Sequence, residues 1–196
     1  MTRPEKTYPL KARIARLKAF RKNTRGVAAI EFAMILPVMV LILAGLIDIT
    51  NLFYANRKIT LATNTIGDLI TQIPNKITES QMDGIYNASR PILDPIPDDM
   101  LEISVDTYRL VGGAVKKVWH YGNGTFTCNA GIPETKLKMK IRPLMADGND
   151  VVVTTGCVQV KTLTGMAISQ RTFNLEETVI LRPRQSDTLE CDDCTS

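Results

Sequence analysis

The sequence contains little of what catalytic sites are commonly built from. It has one histidine, His120, which stands between Trp119 and Tyr121. A single histidine cannot form a histidine metal set, and neither a P-loop nor a nucleophile elbow occurs. A lone histidine is more typical of a strand or a surface position than of a catalytic base. The sequence therefore predicts a protein that is not an enzyme, with no catalytic residues, no cofactor and no metal site.

Acidic residues are nearly absent from the first 25 positions. That segment holds nine Lys/Arg and one acid, Glu5, so it carries +8 while the remainder carries −4. The basic overall charge thus comes from this leader, and it does not indicate a nucleic-acid partner. Four apolar residues recur in the leader at helical spacing: Leu10, Ile14, Leu17 and Phe20. The pattern fits either an amphipathic helix on anionic membrane lipid or a solvated basic tail.

Charge is almost absent between Gly26 and Ile47, where Glu31 is the single exception. A helix of these 22 residues would be roughly 33 Å long, which is about one hydrocarbon core. Because the positive charges lie before it, residues 1 to 25 are predicted to be cytoplasmic and the chain after about Thr50 to lie outside. Four regions follow: a basic leader (1–26), a transmembrane helix (27–50), an extracytoplasmic domain (51–184) and a polar, cysteine-containing tail (185–196).

Two ordinary explanations of this apolar segment fit it incompletely. A secretory signal peptide needs a small-x-small cleavage site, and Ala44-Gly45-Leu46 is a poor match. A plain single-span anchor explains the hydrophobicity and the orientation. It leaves Glu31 unexplained, because an unpartnered carboxylate in hydrocarbon costs about 2–3 kcal/mol or more.

A third explanation accounts for Glu31. The stretch RGVAAIEF resembles the processing site of type IV prepilin-like proteins, in which a basic leader ends in glycine and the mature chain has glutamate as its fifth residue. The resemblance implies cleavage between Gly26 and Val27, which makes Glu31 the fifth residue. In a bundle of such helices, the Glu31 carboxylate of one subunit could neutralise the new α-amino group of a neighbour and so define the axial register.

The stretch GVAAIEFAMILPVMVLILAGLIDI further resembles the start of TadE/TadG-like pilus-assembly proteins, which are pseudopilins of the tight-adherence (Tad/Flp) system. The matching residues are Gly26, Glu31, Phe32, Leu36, Pro37, Gly45 and Asp48. The stretch TVILRPRQSDTLEC, with Arg182-Pro183-Arg184, resembles the end of the same family.

This resemblance implies a minor pseudopilin in the bacterial inner membrane, with its C-terminal domain in the periplasm. Its expected partners are a prepilin peptidase, other pilins or pseudopilins, the inner-membrane assembly platform and membrane lipid. Glu31 and Phe32 would serve assembly, and the pilus would serve cell adhesion and biofilm formation. The alternative is an unprocessed single-span envelope protein whose outer domain binds a partner or ligand.

Two further residues of the helix have simpler interpretations. Pro37 removes one backbone hydrogen bond, and we expect it to kink the helix, which membrane helices tolerate. Asp48 follows Glu31 by roughly 25 Å along a helix, so we expect it at the outer interface, where a charge is inexpensive. It needs no special role there, although it could pair with Arg or Lys of a neighbour.

The outer domain is predicted to be α+β. The long N-terminal helix should continue past Asp48 with an apolar stripe until Pro74 ends it, and a second helix should follow over 78–93. Strands are expected over 101–111, 115–121, 149–163 and the TFNLEETVILRPR segment, with a bulge at Gly156. The alternating basic run from Lys136 to Arg142 suggests a solvated strand face. Together these elements predict a pilin-like head with an antiparallel sheet packed on the long helix.

Four cysteines outside the cytoplasmic membrane suggest two disulfides. One pairing joins Cys191 to Cys194 and Cys128 to Cys157. The others tie the tail to the body through Cys128 or Cys157, and we favour such a link because it would restrain an otherwise loose terminus. A redox role for the C-x-x-C of the tail is not favoured, because the neighbouring acids would raise the thiol pKa.

Overall fold

The computed structural model describes residues 26–124, 133–165 and 172–194. The basic leader and Cys128 lie outside these residues. The chain divides into two compact units, Met1–Ala44 and Gly45–Ser196.

Helix α1 spans Val27–Thr71, so the predicted continuation of the apolar helix beyond Asp48 is confirmed. By length and composition it is the one helix among the described residues that could cross a membrane. Its most apolar stretch is not buried by the rest of the protein. In the second unit the helix is amphipathic, and its buried face is formed by Ala55, Ile59, Ala62 and Ile66. Those residues recur at three- and four-residue spacing, which is why one side of the helix packs on the sheet.

The remaining elements follow in the order β1 Lys76–Ile77, α2 Glu79–Leu93, β2 Leu101–Val111, β3 Ala114–Gly124, α3 Glu134–Ile141, β4 Asp150–Lys161, β5 Thr172–Leu181 and β6 Glu190–Cys191. Helix α2 begins at a capping box, in which Thr78 and Gln81 each accept a hydrogen bond from the other's backbone N–H. The predicted second helix is thus confirmed.

The main sheet has the strand order β3-β2-β4-β5, and its neighbouring strands are antiparallel. Strands β2 and β3 form a hairpin that turns at Gly112 and Gly113, whose φ angles of 59° and 80° favour glycine. Strands β1 and β6 form a separate parallel pair. The α+β class and the antiparallel sheet are confirmed.

Each face of the sheet has its own core. On one face, Leu101, Ile103 and Val105 of β2 belong to the main core with α1 and α2. The opposite face carries a smaller core that includes Leu137 and Ile141 of α3. The prediction of a strand for the run from Lys136 to Arg142 is therefore wrong. Leu137 and Ile141 lie four residues apart and bury one helical face, while the lysines occupy the rest.

The predicted bulge at Gly156 is also wrong. Gly156 pairs in regular register with Ile103 of β2 and Glu177 of β5. Its glycine is needed because α1 passes directly over it: a Cβ at this position would overlap the Thr63 hydroxyl and would lie 2.9 Å from Cδ1 of Ile59. The irregularity in the sheet lies instead in the β2–β3 pairing, between Thr107 and Tyr108.

The closeness of α1 to β4 predicts that Gly156→Ala lowers the free energy of unfolding by about 1–3 kcal/mol, because the added methyl group has no space. Gly84→Ala is a matched control. It lies on the exposed side of α2 with open space around its Cβ position, so it should raise stability by up to about 1 kcal/mol.

Both variants can be measured by urea unfolding of the detergent-solubilised protein, followed through the fluorescence of the buried Trp119. Equal stability of Gly156→Ala and the unsubstituted protein would contradict the close contact between α1 and β4.

Candidate functional site

The N-terminal part of α1 carries the residues that the sequence singled out for processing and assembly. The regular α-helix begins at Val27, directly after Gly26. Glu31 and Phe32 lie in its second turn with exposed side chains. Glu31 forms no ion pair or side-chain hydrogen bond with the residues that the structure describes. The Glu31 carboxylate therefore lies on the helix surface and has no partner among the described residues.

Pro37 lies inside α1, and the helix continues through it to Thr71. A kink at this position stays a prediction. The residues from 26 to 43 are all exposed, and a partly exposed Ala44-Gly45 step follows. This segment therefore presents its apolar surface outward on every side, as a lipid-facing or helix-facing segment does.

Asp48 has a role that sequence reasoning missed. It is buried, and its Oδ1 accepts a hydrogen bond of 2.7 Å from the Leu163 backbone N–H. Its Oδ2 accepts hydrogen bonds from the Thr164 N–H at 2.7 Å and from the Thr164 hydroxyl at 2.6 Å. The expectation that this charge has no special role is therefore wrong. The chain that follows β4 is fastened to α1 through this carboxylate.

No local sequence pattern predicts the contact between Asp48 and the loop after β4. Asp48 and Thr164 are separated by 116 positions, and neither residue type is unusual in its own segment. The only available signal is the position of an acid directly after a long apolar run. Hydrogen bonds to an ionised carboxylate are short and strong, so the contact can stabilise the loop by more than a neutral pair would.

A second polar cluster holds the C-terminal tail. Asp150 is buried and receives the Arg109 side chain at 2.6 Å and 2.9 Å, together with the Leu189 N–H at 2.7 Å. The hydrogen bond with Asp150 raises the pKa of the Arg109 guanidinium, which therefore stays charged. Trp119 donates its indole N–H to the Leu189 carbonyl at 2.7 Å. Both backbone groups of the fully buried Leu189 are therefore engaged.

The sequence had suggested a loose tail, and this expectation is wrong. Strand β6 pairs with β1, and the Arg184 N–H donates to the Thr71 carbonyl at the end of α1 at 2.9 Å. The Arg184 side chain also forms an ion pair with Asp68 of the same helix. The Arg-Pro-Arg segment thus contributes a cap to the C-terminus of α1. A satisfied backbone, and not a disulfide to the body, restrains this terminus.

The preference for a tail-to-body disulfide is wrong. Cys191 and Cys194 are bonded to each other. Cys157 is also disulfide-bonded, and Cys128 lies outside the described residues. The Cα atoms of Cys191 and Cys194 are 5.5 Å apart, which is a usual separation for a disulfide.

The lone histidine lies on β3, at the sheet face that carries the smaller core. His120 Nδ1 is 2.9 Å from Asp106, and Lys117 is 2.8 Å from the same carboxylate. Burial opposes ionisation of Asp106, but the hydrogen bonds from His120 and Lys117 outweigh it and lower its pKa. Within residues 26–124, 133–165 and 172–194, no group of three potential metal ligands is close enough to hold an ion.

The three hydrogen bonds that Asp48 accepts predict that removal of its charge lowers the stability of the folded domain. Asp48→Asn replaces one accepting oxygen with an NH₂ group that faces the donors of Leu163 and Thr164, so the urea midpoint of unfolding should fall clearly. Thr164→Val removes only the hydroxyl and should cost about 1 kcal/mol. The matched control Asp99→Asn changes an exposed acid and should stay within about 0.5 kcal/mol of the unsubstituted protein.

The measurement is again urea unfolding in detergent. If Asp48→Asn behaved like Asp99→Asn, the carboxylate would have no anchoring role.

Comparison with known proteins bears on the N-terminal part of this arrangement. The model of a family described as TadE-like protein matches residues 26–67. The match covers most of α1 and includes Gly26, Glu31, Pro37 and Asp48. Searches of curated proteins and of solved structures found no significant match. Residues 26–67 are therefore similar to the TadE-like family, and the resemblance seen in the N-terminal sequence is confirmed over that segment.

Proposed function

We propose that this chain is a minor pseudopilin of a tight-adherence pilus system. Its α1 would be inserted in the bacterial inner membrane, with the N-terminus cytoplasmic and the folded domain periplasmic. The observation that carries the proposal is the register of the TadE-like segment. Gly26 directly precedes the helix, and Glu31 is the fifth residue after Gly26. The family match by itself suggests a role in Tad pilus assembly, and the finer role is our inference.

The proposed first step is hydrolysis of the peptide bond between Gly26 and Val27 by a prepilin peptidase. Water adds across the bond, Gly26 receives the new carboxylate and Val27 receives the new α-amino group. The position suits cleavage because α1 begins at Val27, so the mature chain would start with an intact helix. Removal of residues 1–26 would take away the leader that carries +8. The chain would be the substrate of this reaction and not its catalyst.

The proposed second step is assembly through the exposed part of α1. A carboxylate in hydrocarbon costs about 2.5–3.5 kcal/mol without a partner. Glu31 finds no partner among the described residues, and cleavage creates a cation on each neighbouring subunit. Pairing of Glu31 with the α-amino group of a neighbour would remove this cost and favour one axial register. The exposed ring of Phe32 would pack in the same helix contact.

The direct test is the N-terminus of the membrane-extracted protein, determined by intact mass and N-terminal sequencing. Cells with the prepilin peptidase should yield a chain that starts at Val27, and cells without it a chain that starts at Met1. A start at Met1 in both strains would favour the unprocessed envelope protein. A start beyond Ala44 would mean a secreted protein and would sink the pseudopilin proposal.

Glu31 separates assembly from processing. Glu31→Ala should still be cleaved, but its incorporation into sheared pili or cross-linked pilin complexes should fall at least about tenfold, since the pair is worth more than 1.4 kcal/mol. Glu31→Gln should fail similarly, because it retains the size of the side chain and loses its charge.

Met34→Ala is a matched control in the same exposed helix segment, and it should assemble normally. An unprocessed anchor predicts a different pattern, in which Glu31→Ala inserts better and nothing else changes.

A further inference from the structure

Large apolar side chains are exposed at the end of the folded domain where Asp48 holds the chain. On α1, Ile49 is 52% exposed and Phe53 is 73% exposed. Leu163, whose N–H binds Asp48, is 55% exposed, and Phe173 at the start of β5 is 38% exposed. These four residues are called the apolar collar below. Four exposed large hydrophobic side chains at one end of a domain indicate a binding surface more than scattered exposure does.

The collar adjoins a groove between α1 and the edge strand β5. The groove has a volume of about 340 Å³, and its lining is formed by Ile49, Leu52, Phe53, Asn56 and Leu175. Asn56 is the one polar residue in this lining. Phe173 precedes Leu175 by two residues, so both side chains lie on the same face of β5. The groove thus extends the apolar surface of the collar along the helix.

The level of the collar along α1 indicates what covers it. The apolar run of the helix ends at Ile47, and Ile49 and Phe53 occupy the next two turns. A headgroup layer is about 6 Å thick on each side of the hydrocarbon, which corresponds to roughly four residues of helix. That layer therefore covers roughly residues 48 to 51 if the apolar run spans the hydrocarbon. Phe53 lies about half a turn beyond it, and its ring can reach the same level because helix side chains tilt back towards the N-terminus. Because Asp48 holds Leu163 and Thr164 against the helix, this loop lies at the same level.

The charges near the collar suit a lipid surface. From residue 49 to residue 67, α1 contains no acid, and its two charged residues are Arg57 and Lys58. Lys58 is engaged with the carbonyls of Ile92 and Asp94, whereas Arg57 is exposed one turn beyond Phe53. Lys161 is exposed at the end of β4, two residues before Leu163. Aromatic rings at headgroup level with basic residues just beyond them are typical of interfacial anchors.

We propose that the apolar collar is a lipid-binding surface that seats the folded domain in the outer leaflet of the membrane crossed by α1. The inference rests on the proposed membrane insertion and goes beyond it, because it assigns lipid contact to the domain as well as to the helix. Phe53, Leu163 and Phe173 insert among the lipid headgroups, and Arg57 and Lys161 face lipid phosphates. The folded domain is thereby held against the membrane before any assembly.

The test uses the full-length protein in vesicles of phosphatidylcholine and phosphatidylglycerol, prepared with lipids that are brominated on the acyl chain near the headgroup. Bromine quenches tryptophan fluorescence only at short range. Phe53→Trp reports on the collar, Leu41→Trp on the membrane helix, and Leu61→Trp on an exposed apolar position eight residues beyond Phe53. Trp119 is buried, and the unsubstituted protein provides its baseline.

The proposal predicts strong quenching of Phe53→Trp, severalfold greater than that of Leu61→Trp. Quenching of Leu41→Trp alone would overturn the collar while leaving the membrane helix intact. If brominated lipid quenched neither Phe53→Trp nor Leu41→Trp, the proposed membrane insertion itself would be wrong.

Aqueous acrylamide distinguishes the remaining outcomes. A Phe53→Trp indole that acrylamide quenches and brominated lipid does not would be exposed to water. One that neither agent reaches would be covered by protein, such as a second copy of the chain. Both results would overturn lipid contact at the collar.

Discussion

The outer half of α1 can lie on the sheet only because two glycines allow the backbones to approach. Gly156 of β4 sits under Thr63 and Ile59 of the helix, where a side chain has no room. Gly67 of the helix sits over Thr154, whose hydroxyl would be 3.0 Å from an added Cβ. Close approach of this kind lets the apolar side chains beside the contact interdigitate over the sheet. The main core, including Ile59, Ile66 and Ile103, forms around it.

Polar contacts hold this packed helix near both of its ends. Asp48 binds the chain after β4, and Arg184 binds Asp68 and the carbonyl of Thr71. The distance from Asp48 to Thr71 along the helix is about 35 Å, since each residue rises 1.5 Å. Apolar packing resists separation but has little directional preference, whereas hydrogen bonds to charged groups define position. The combination therefore determines both how strongly the helix is held and at which axial level.

The local parts of this fold could be predicted from the sequence. Helix α2 follows from its capping box and apolar spacing, and the β2–β3 hairpin follows from alternating residues around two glycines. The error at Lys136 to Arg142 was local, because the alternating basic residues hid the four-residue spacing of Leu137 and Ile141. The other errors arose where the outcome depends on distant partners. Gly156 resembled a bulge because its true reason, the passage of α1, lies about ninety positions earlier in the chain.

The errors at the candidate site have the same origin. Asp48 seemed unengaged because its donors come from residues 163 and 164. The tail seemed loose because Asp150 and Trp119, which engage Leu189, belong to the sheet. Periodicity and capping report on neighbours in sequence, and they carry no information about these contacts. The TadE-like segment was recognisable because its pattern is itself local.

Helix α1 contains two carboxylates that are satisfied in opposite ways. Asp48 receives three hydrogen bonds from its own chain and is buried. Glu31 stands in an uncharged stretch with its side chain exposed, and no cation among the described residues pairs with it. A carboxylate that a chain satisfies by itself contributes to folding, whereas one that needs an external cation favours the state in which that cation is present. The free energy that Asp48 contributes is available to the single chain, while that of Glu31 becomes available only when another molecule supplies the positive charge.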